Sequence, residues 1–328
     1  MARSIVVREF GGPEVLVAED VDIGHLAADE ILLRQTAAGV NFHDIYVRSG
    51  LYDTLDLPGT PGCEAVGTVL RVGSDVDHIS VGDRVGYVTP RYGGYAEERR
   101  LPAALAIPIP DEIDDDAAAA NLLRAMTVEM LTRRVVKVTA GMTVLVHAAA
   151  GGVGRLLCSV AAAAGARVIG TVGSTEKAAI AAAHGCHDTI LYREVDFVEA
   201  VHDLVGPTAV HTVFDSVGAD TFDGSLEVLA YAGHLVNFGQ SSGPVEPVAM
   251  STLATKSLTV SRPIIFHYLN DPAMYQQMAA VALDWFVTGQ LHATEVTRVP
   301  LEEAPRAHEL LASRDWRGGS IVLHSDRC

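Results

Sequence analysis

One segment constrains the fold of this chain more than any other: Val144-Leu145-Val146-His147-Ala148-Ala149-Ala150-Gly151-Gly152-Val153-Gly154. An apolar strand runs into a glycine-rich turn, and the turn opens a helix. Glycines let the backbone turn tightly and approach a pyrophosphate closely, while the helix N-terminus offers free N–H groups and the positive end of its dipole. Ala149 stands where the usual pattern has its first glycine, but the strand before and the helix after are both in place. Ala150, Gly151, Gly152 and Val153 are therefore the expected pyrophosphate contacts of a dinucleotide. A chance glycine-rich turn is the competing explanation, and its flanks argue against it.

The surrounding pattern agrees with this turn. From residue 123 onward apolar strands alternate with alanine-rich helices: strands at 143–147, 167–171, 189–191, 210–215 and 234–238, helices at 152–164 and 175–184. Such alternation predicts an α/β unit with a doubly wound parallel sheet covered on both faces. Residues 1 to about 120 read differently. Short strand-like runs at 5–8, 30–36, 65–72 and 84–88 are separated by Gly11-Gly12-Pro13, Pro58-Gly59, Pro61-Gly62 and Val81-Gly82-Asp83, which predicts a compact β-rich barrel or sandwich. The acids of Asp111–Asp116 precede an alanine run and suit a helix N-terminus. After residue 260 the spacing predicts helices at 271–288 and 302–313 and a last strand at 320–324.

The end of the second strand of the α/β unit bears on cofactor choice. An acid there usually binds the ribose 2′-OH of NAD. Here Arg167–Val172 is followed by Gly173-Ser174-Thr175-Glu176-Lys177. Hydroxyls at Ser174 and Thr175 with a cation at Lys177 suit a 2′-phosphate, so the expected cofactor is NADPH, with Gly173, Ser174 and Lys177 among its contacts. Tyr192-Arg193, after the third strand, adds an aromatic face and a second cation. The alternative gives the ribose to Glu176 and leaves Lys177 as a solvated helix residue.

Charge and cysteine usage narrow the partners. A net charge of −17 over 328 residues, without a block of Lys and Arg, argues against nucleic acid and anionic membrane surfaces. Cys63, Cys158, Cys186 and Cys328 have neither zinc-knuckle nor disulfide-framework spacing and read as free thiols. The apolar tract at 144–170 is broken by glycines and Arg155, so it is not a membrane span. Without a signal-peptide pattern at the start, the expected location is the cytoplasm.

A family resemblance becomes specific at Ala37–Tyr52, with its Asn41-Phe42-His43-Asp44-Ile45-Tyr46 core. Together with Gly62-Cys63-Glu64-Ala65-Val66-Gly67, the Ala148–Gly154 turn, Phe214–Gly218, Phe238–Gly243, Arg262-Pro263 and Arg306–Glu309, it resembles the quinone oxidoreductase branch of the zinc-free medium-chain dehydrogenase/reductase superfamily, in order along the whole chain. The resemblance implies a GroES-like domain of residues 1–122 and 261–328 and a Rossmann NADPH-binding domain of residues 123–260. It also implies a homodimer, by family habit. It places Asn41 beside the nicotinamide and Thr127 near its carboxamide. Ser216, Phe238, Gly239 and Ser241 would line the ribose and nicotinamide track, and Arg317 would approach a phosphate.

No metal is expected. Zinc-dependent relatives carry Cys where Asn41 stands and His where Cys63 stands, and Asn is a poor zinc ligand. Without a Lewis acid the substrate must already be electrophilic, which points to a quinone or a similar conjugated carbonyl. Candidate donors to its developing oxyanion are Asn41, Tyr46, Tyr52 and Arg262. Tyr46 and Tyr52 read equally as packing aromatics, and Arg262 as a brace at a strand end. The chain departs from the family pattern at Glu129-Met130, Ser159 and Cys63. Glu129 reads either as an acid near the pocket that disfavours an apolar quinone or selects a polar substrate, or as a solvent-facing helix residue, and core positions are the expectation for His147 and His211. The enzymatic alternative is a 2-enoyl reductase acting on enones or acyl thioesters. The alternative of another class is a non-catalytic NADPH-binding protein.

Overall fold

The computed structural model describes residues 1–313 and 319–325. The chain divides into two compact units, Met1–Leu123 with Leu269–Cys328, and Arg124–Tyr268.

The first unit is built on a seven-stranded sheet. Its path runs Val296–Pro300, Ser320–His324, Glu30–Val40, Glu64–Val72, Arg84–Val88 and Ile107–Pro108, with Glu98–Pro102 also pairing Glu30–Val40. Only the Val296–Pro300 and Ser320–His324 pair is parallel. Glu30–Val40 forms the spine, and its early residues alternate between the core and the outer face, as a half-buried strand must. A β-carbon on Gly39 would overlap the Ala119 carbonyl and the Glu64 carboxylate, so glycine there permits the close approach. A separate antiparallel hairpin pairs Ala2–Val6 with Val17–Val21. The acidic run does start a helix: Asp114 accepts the Ala117 N–H at 2.7 Å, and the helix spans Asp115–Glu129.

The second unit holds a six-stranded parallel sheet in the order Asp188–Leu191, Arg167–Val172, Thr143–Val146, Val210–Asp215, Leu229–Asn237 and Thr259–Ser261. Strand order reverses at Thr143–Val146, which has the second strand of the unit on one side and the fourth on the other. In open α/β sheets such a switch point opens a crevice at the carboxyl ends of the strands. Leu145, Ile169, Val213 and Leu235 from the sheet pack with Val201, Phe222 and Leu226 from the helices into one buried core. The doubly wound α/β unit and the β-rich unit are thus both present. No helix among the described residues is long and apolar enough to cross a membrane.

Candidate active site

The glycine-rich turn lies at the switch point, between the strand Thr143–Val146 and the helix Gly152–Ala163. Ala148 has φ +52°, a left-handed conformation that a non-glycine residue rarely adopts, and its carbonyl accepts the Gly151 N–H at 2.8 Å. A β-carbon on Gly154 would overlap that same carbonyl, so the helix can start so close to the strand only with glycine at this position. Gly151 is exposed, and Ala150, Gly152 and Val153 are half-buried. Backbone N–H groups therefore face an accessible surface at a helix N-terminus, the arrangement a pyrophosphate requires.

Two cations at this turn escaped the sequence reading. The Arg124 guanidinium lies against Gly152, where a β-carbon would meet it at 3.0 Å, although Arg124 is only 8% exposed. Arg155, in the first turn of the helix, has its pKa lowered by burial and by the nearby Arg124 charge. Two guanidinium groups beside the positive end of a helix favour an anion there. The available signal was Arg124 itself, a charge within the apolar run Leu122-Leu123-Arg124-Ala125-Met126.

At the end of the strand Arg167–Val172, Ser174 caps the helix Thr175–Ala183, its hydroxyl accepting the Lys177 N–H at 3.4 Å. A β-carbon on Gly173 would lie 3.0 Å from the Tyr192 hydroxyl and 3.5 Å from Arg193 Nε. Gly173, Ser174, Lys177, Tyr192 and Arg193 thus share one strand end, with Lys177 half-buried and Tyr192 exposed. No carboxylate occupies the strand terminus itself.

The loops after the next two strands are tied together by Asp215. Its carboxylate accepts from the Val217 N–H at 2.7 Å, the Thr221 hydroxyl at 2.9 Å and the Asn237 amide at 3.2 Å. Ser216 and Ser241 are joined by a backbone bond of 3.2 Å, and a β-carbon on Gly239 would press on Ser216. The Phe238 N–H bonds the Asp215 carbonyl at 2.8 Å. Arg262 is exposed and donates to the carbonyls of Asn237 at 3.2 Å and Gly239 at 3.1 Å, which braces this loop. Thr127 is half-buried in the helix that ends at Glu129. Arg317 lies outside the described residues.

In the first unit, Asn41 stands between the spine strand and the helix Phe42–Arg48. Its side-chain amide donates to Glu64 Oε1 at 2.6 Å, while Glu64 Oε2 accepts the Leu123 N–H at 2.7 Å. Asp44 accepts the Asn41 N–H at 2.8 Å and the Tyr95 hydroxyl at 3.1 Å. Asn41 is 7% exposed, and Asp44 and Glu64 are fully buried. Two buried carboxylates therefore fix the asparagine from its backbone and from its side chain. Tyr46 and Tyr52 form an edge-to-face pair at 5.1 Å and are half-buried.

Among the described residues no three or more His, Cys, Asp or Glu side chains are grouped to hold a metal ion. Cys63 is fully buried, and burial, aided by the charges of Asp44 and Glu64, holds its thiol well above the usual range. A protonated thiol and an amide already bonded to Glu64 are poor zinc ligands.

Two histidine and glutamate expectations are corrected. Glu129 does not face solvent. It is 2% exposed and makes bidentate bonds to Arg134 at 2.8 and 3.0 Å across a π-helical turn, so its charge is matched inside the protein. His211 is not in the core. It is exposed, and its Nδ1 accepts the Thr143 N–H at 3.0 Å. His147 is the satisfied core histidine, bonded to Thr171 and Ser225 at 2.9 Å each. Ser159 bonds the carbonyls of Arg155 at 3.2 Å and His184 at 3.0 Å, a helix-packing role.

Comparison with known proteins bears on both units. The alcohol dehydrogenase GroES-like domain family matches residues 27–111, and the zinc-binding dehydrogenase family matches residues 152–284. A quinone oxidoreductase of Pseudomonas aeruginosa is 40% identical over 98% of this chain and 100% of its own length. A 2-haloacrylate reductase of a Burkholderia species is 37% identical, covering 98% of this chain and 99% of its own. Among solved structures, the quinone oxidoreductase of Pseudomonas syringae pv. tomato DC3000 superposes with a TM-score of 0.95 at 40% identity, over 99% of this chain and 100% of that one. The Escherichia coli quinone oxidoreductase complexed with NADPH gives 0.94 at 39%, over 98% and 100%.

Proposed function

We propose that this protein, which belongs to the quinone oxidoreductase branch of the medium-chain dehydrogenase/reductase superfamily, is an NADPH-dependent reductase of quinones. The observation that carries the reading is the strand end where Gly173, Ser174, Lys177, Tyr192 and Arg193 converge without a terminal carboxylate. That donor set fits a 2′-phosphate, and the glycine turn with Arg124 and Arg155 fits the pyrophosphate.

When bound, the nicotinamide supplies a hydride. The residues of this chain supply position and polarity. Glu64 and Asp44 hold Asn41 in one orientation before substrate arrives, so its polar group costs no reorganisation during the reaction. Tyr46 and Tyr52 provide aromatic surface for a flat ring and hydroxyl donors for the oxygen that gains charge. Arg262 and the Asp215 network hold the loops of Ser216, Phe238, Gly239 and Ser241, the proposed ribose and nicotinamide track, and Thr127 is proposed for the carboxamide. A quinone is electrophilic enough to accept hydride without a metal, which suits a site whose described residues include no grouped metal ligands. A second reading is reduction of an electron-poor C=C bond, favoured by the resemblance to a 2-haloacrylate reductase.

The test is NADPH oxidation in metal-free buffer with 1,4-benzoquinone, with NADH as the control cofactor and an acrylate as the control acceptor. Turnover with the quinone preferring NADPH supports the first reading. Turnover only with the acrylate moves the assignment to the second. NADPH binding without turnover on either leaves the non-catalytic alternative.

A further inference from the structure

A short hydrogen-bonded chain in the first unit has no role in the reading so far. Thr54 Oγ1 lies 2.5 Å from the Tyr92 hydroxyl, which in turn lies 3.1 Å from His43 Nε2. The His43 ring stacks on Tyr92 with centroids 5.9 Å apart and tilts against Tyr52 at 5.6 Å. Tyr52 is the partner of Tyr46. A line of hydrogen-bonded polar atoms thus leads from Thr54 to His43, whose ring lies against Tyr52 of the tyrosine pair.

Its outer end and its middle differ in access. Thr54 is exposed and, with Tyr92, Arg91 and Arg99, lines a cavity of about 560 Å³. Tyr92 is only 3% exposed. Tyr92 also has φ +47°, a left-handed conformation that an ordinary residue rarely adopts. The turn Pro90-Arg91-Tyr92-Gly93 holds that conformation while the phenol sits between Thr54 and His43. Burial lowers the His43 pKa to about 4 and raises that of Tyr92 to about 12, so both groups are neutral near pH 7. Neutral imidazole and neutral phenol each donate one proton and accept another, the property a relay needs.

Hydride transfer to a quinone delivers two electrons and one hydrogen nucleus. The product is a hydroquinone monoanion that still lacks one proton on oxygen. We propose that Thr54, Tyr92 and His43 form a relay that carries this proton from solvent to the reduced substrate. His43, protonated on Nδ1, gives that proton to the oxyanion, directly or through the Tyr52 hydroxyl, as its Nε2 takes the phenolic proton of Tyr92. Tyr92 takes the hydroxyl proton of Thr54, and Thr54 takes one from water. One proton leaves solvent, one O–H bond forms on the substrate, and the three side chains end neutral. The relay rests on the quinone reductase reading with Tyr46 and Tyr52 at the substrate.

The experiment compares the parent with Tyr92→Phe and Thr54→Val in single-turnover quinone reduction, in H2O and D2O, with NADPH affinity measured by fluorescence titration. General acid catalysis contributes roughly 10²–10⁴-fold. Tyr92→Phe is expected to slow the reaction ~100-fold, the low end of that range, and to change the solvent isotope effect while NADPH affinity holds. Thr54→Val, at an exposed position, is expected to slow it less and to change the isotope effect in the same direction. A second readout needs no cofactor. In the ¹⁵N spectrum of the cofactor-free protein, His43 should carry its proton on Nδ1 with Nε2 accepting, and Tyr92→Phe should shift the Nε2 resonance. Parent-like rates and isotope effects in both variants, with parent turnover intact, overturn the relay alone. A parent that reduces no quinone overturns the reading and the relay with it.

Discussion

Glu64 accepts the Asn41 side-chain amide on one carboxylate oxygen at 2.6 Å and the Leu123 backbone N–H on the other at 2.7 Å. The acid is fully buried, so water cannot replace it as the acceptor for either group. It therefore fixes the orientation of the asparagine side chain and ties it to the helix Asp115–Glu129, where Leu123 lies.

Glu64→Ala is expected to lower stability and turnover together. A donor left unsatisfied in the interior costs roughly 1–3 kcal/mol, and this change removes the acceptor of the Asn41 amide. Glu64→Gln keeps the volume and one acceptor, so it separates the effects: a smaller loss of thermal stability than in Glu64→Ala, with turnover falling further than NADPH affinity. Equal turnover in Glu64→Gln and the parent would show that the orientation of Asn41 is immaterial.

Three histidines give the protein a predictable acid limit. Burial lowers the pKa of His43 and of His147 to about 4, although the Asp215 charge opposes it at His147, and burial with the Arg48 charge lowers that of His308 to about 3. An unfolded histidine titrates near 6.5. Between these values the unfolded chain binds protons that the folded one refuses, so stability falls as pH drops from about 6.5 towards 4, by about 1.4 kcal/mol per pH unit for each group. The thermal midpoint should be flat close to pH 7 and decline steadily below 6.5. A midpoint unchanged between pH 7 and 5 would contradict this account.

The metal-free reading has its own measurement. Asn41 is committed to Glu64, and the Cys63 thiol is fully buried and held protonated. Chelator treatment should leave quinone turnover unchanged, and Cys63 should resist thiol reagents until the protein unfolds. A loss of activity on chelation that zinc restores would be incompatible with this site.

The sequence made the sheets legible because their signals are local. The strand Val210–Asp215 and the helix Thr175–Ala183 follow from apolar period and capping residues within one window. The glycine turn was equally legible, since its backbone demands fall on consecutive residues. Pairings across long separations were not. Glu129 read as a surface acid because its neutralisation by Arg134 depends on a π-helical turn that no periodicity announces. His211 read as a core residue because it sits in an apolar strand, yet it projects from the exposed face of that strand. The Thr54–Tyr92–His43 chain joins two loops and a helix and rests on a left-handed tyrosine, which residue types alone do not encode.

Lys177 gives the sharpest test of cofactor choice. Its backbone N–H is held by Ser174, which fixes the first turn of the helix at the end of Arg167–Val172, and its side chain is half-buried. A 2′-phosphate there would gain a cation, two hydroxyls and the helix N-terminus, whereas the free 2′-OH of NADH gains none of the charge. Removing the ammonium by Lys177→Ala should weaken NADPH binding by about tenfold, the ~1.4 kcal/mol within the range of a charge-assisted hydrogen bond, and leave NADH nearly unchanged. Glu176 occupies the preceding helical position and would serve the opposite preference, by accepting from a ribose hydroxyl. Paired fluorescence titrations of Lys177→Ala and Glu176→Ala therefore separate the two. A fall in NADPH affinity confined to Lys177→Ala supports the phosphate site. An unchanged NADPH-to-NADH ratio in Lys177→Ala, with NADH affinity lost in Glu176→Ala, would reassign this strand end to NAD.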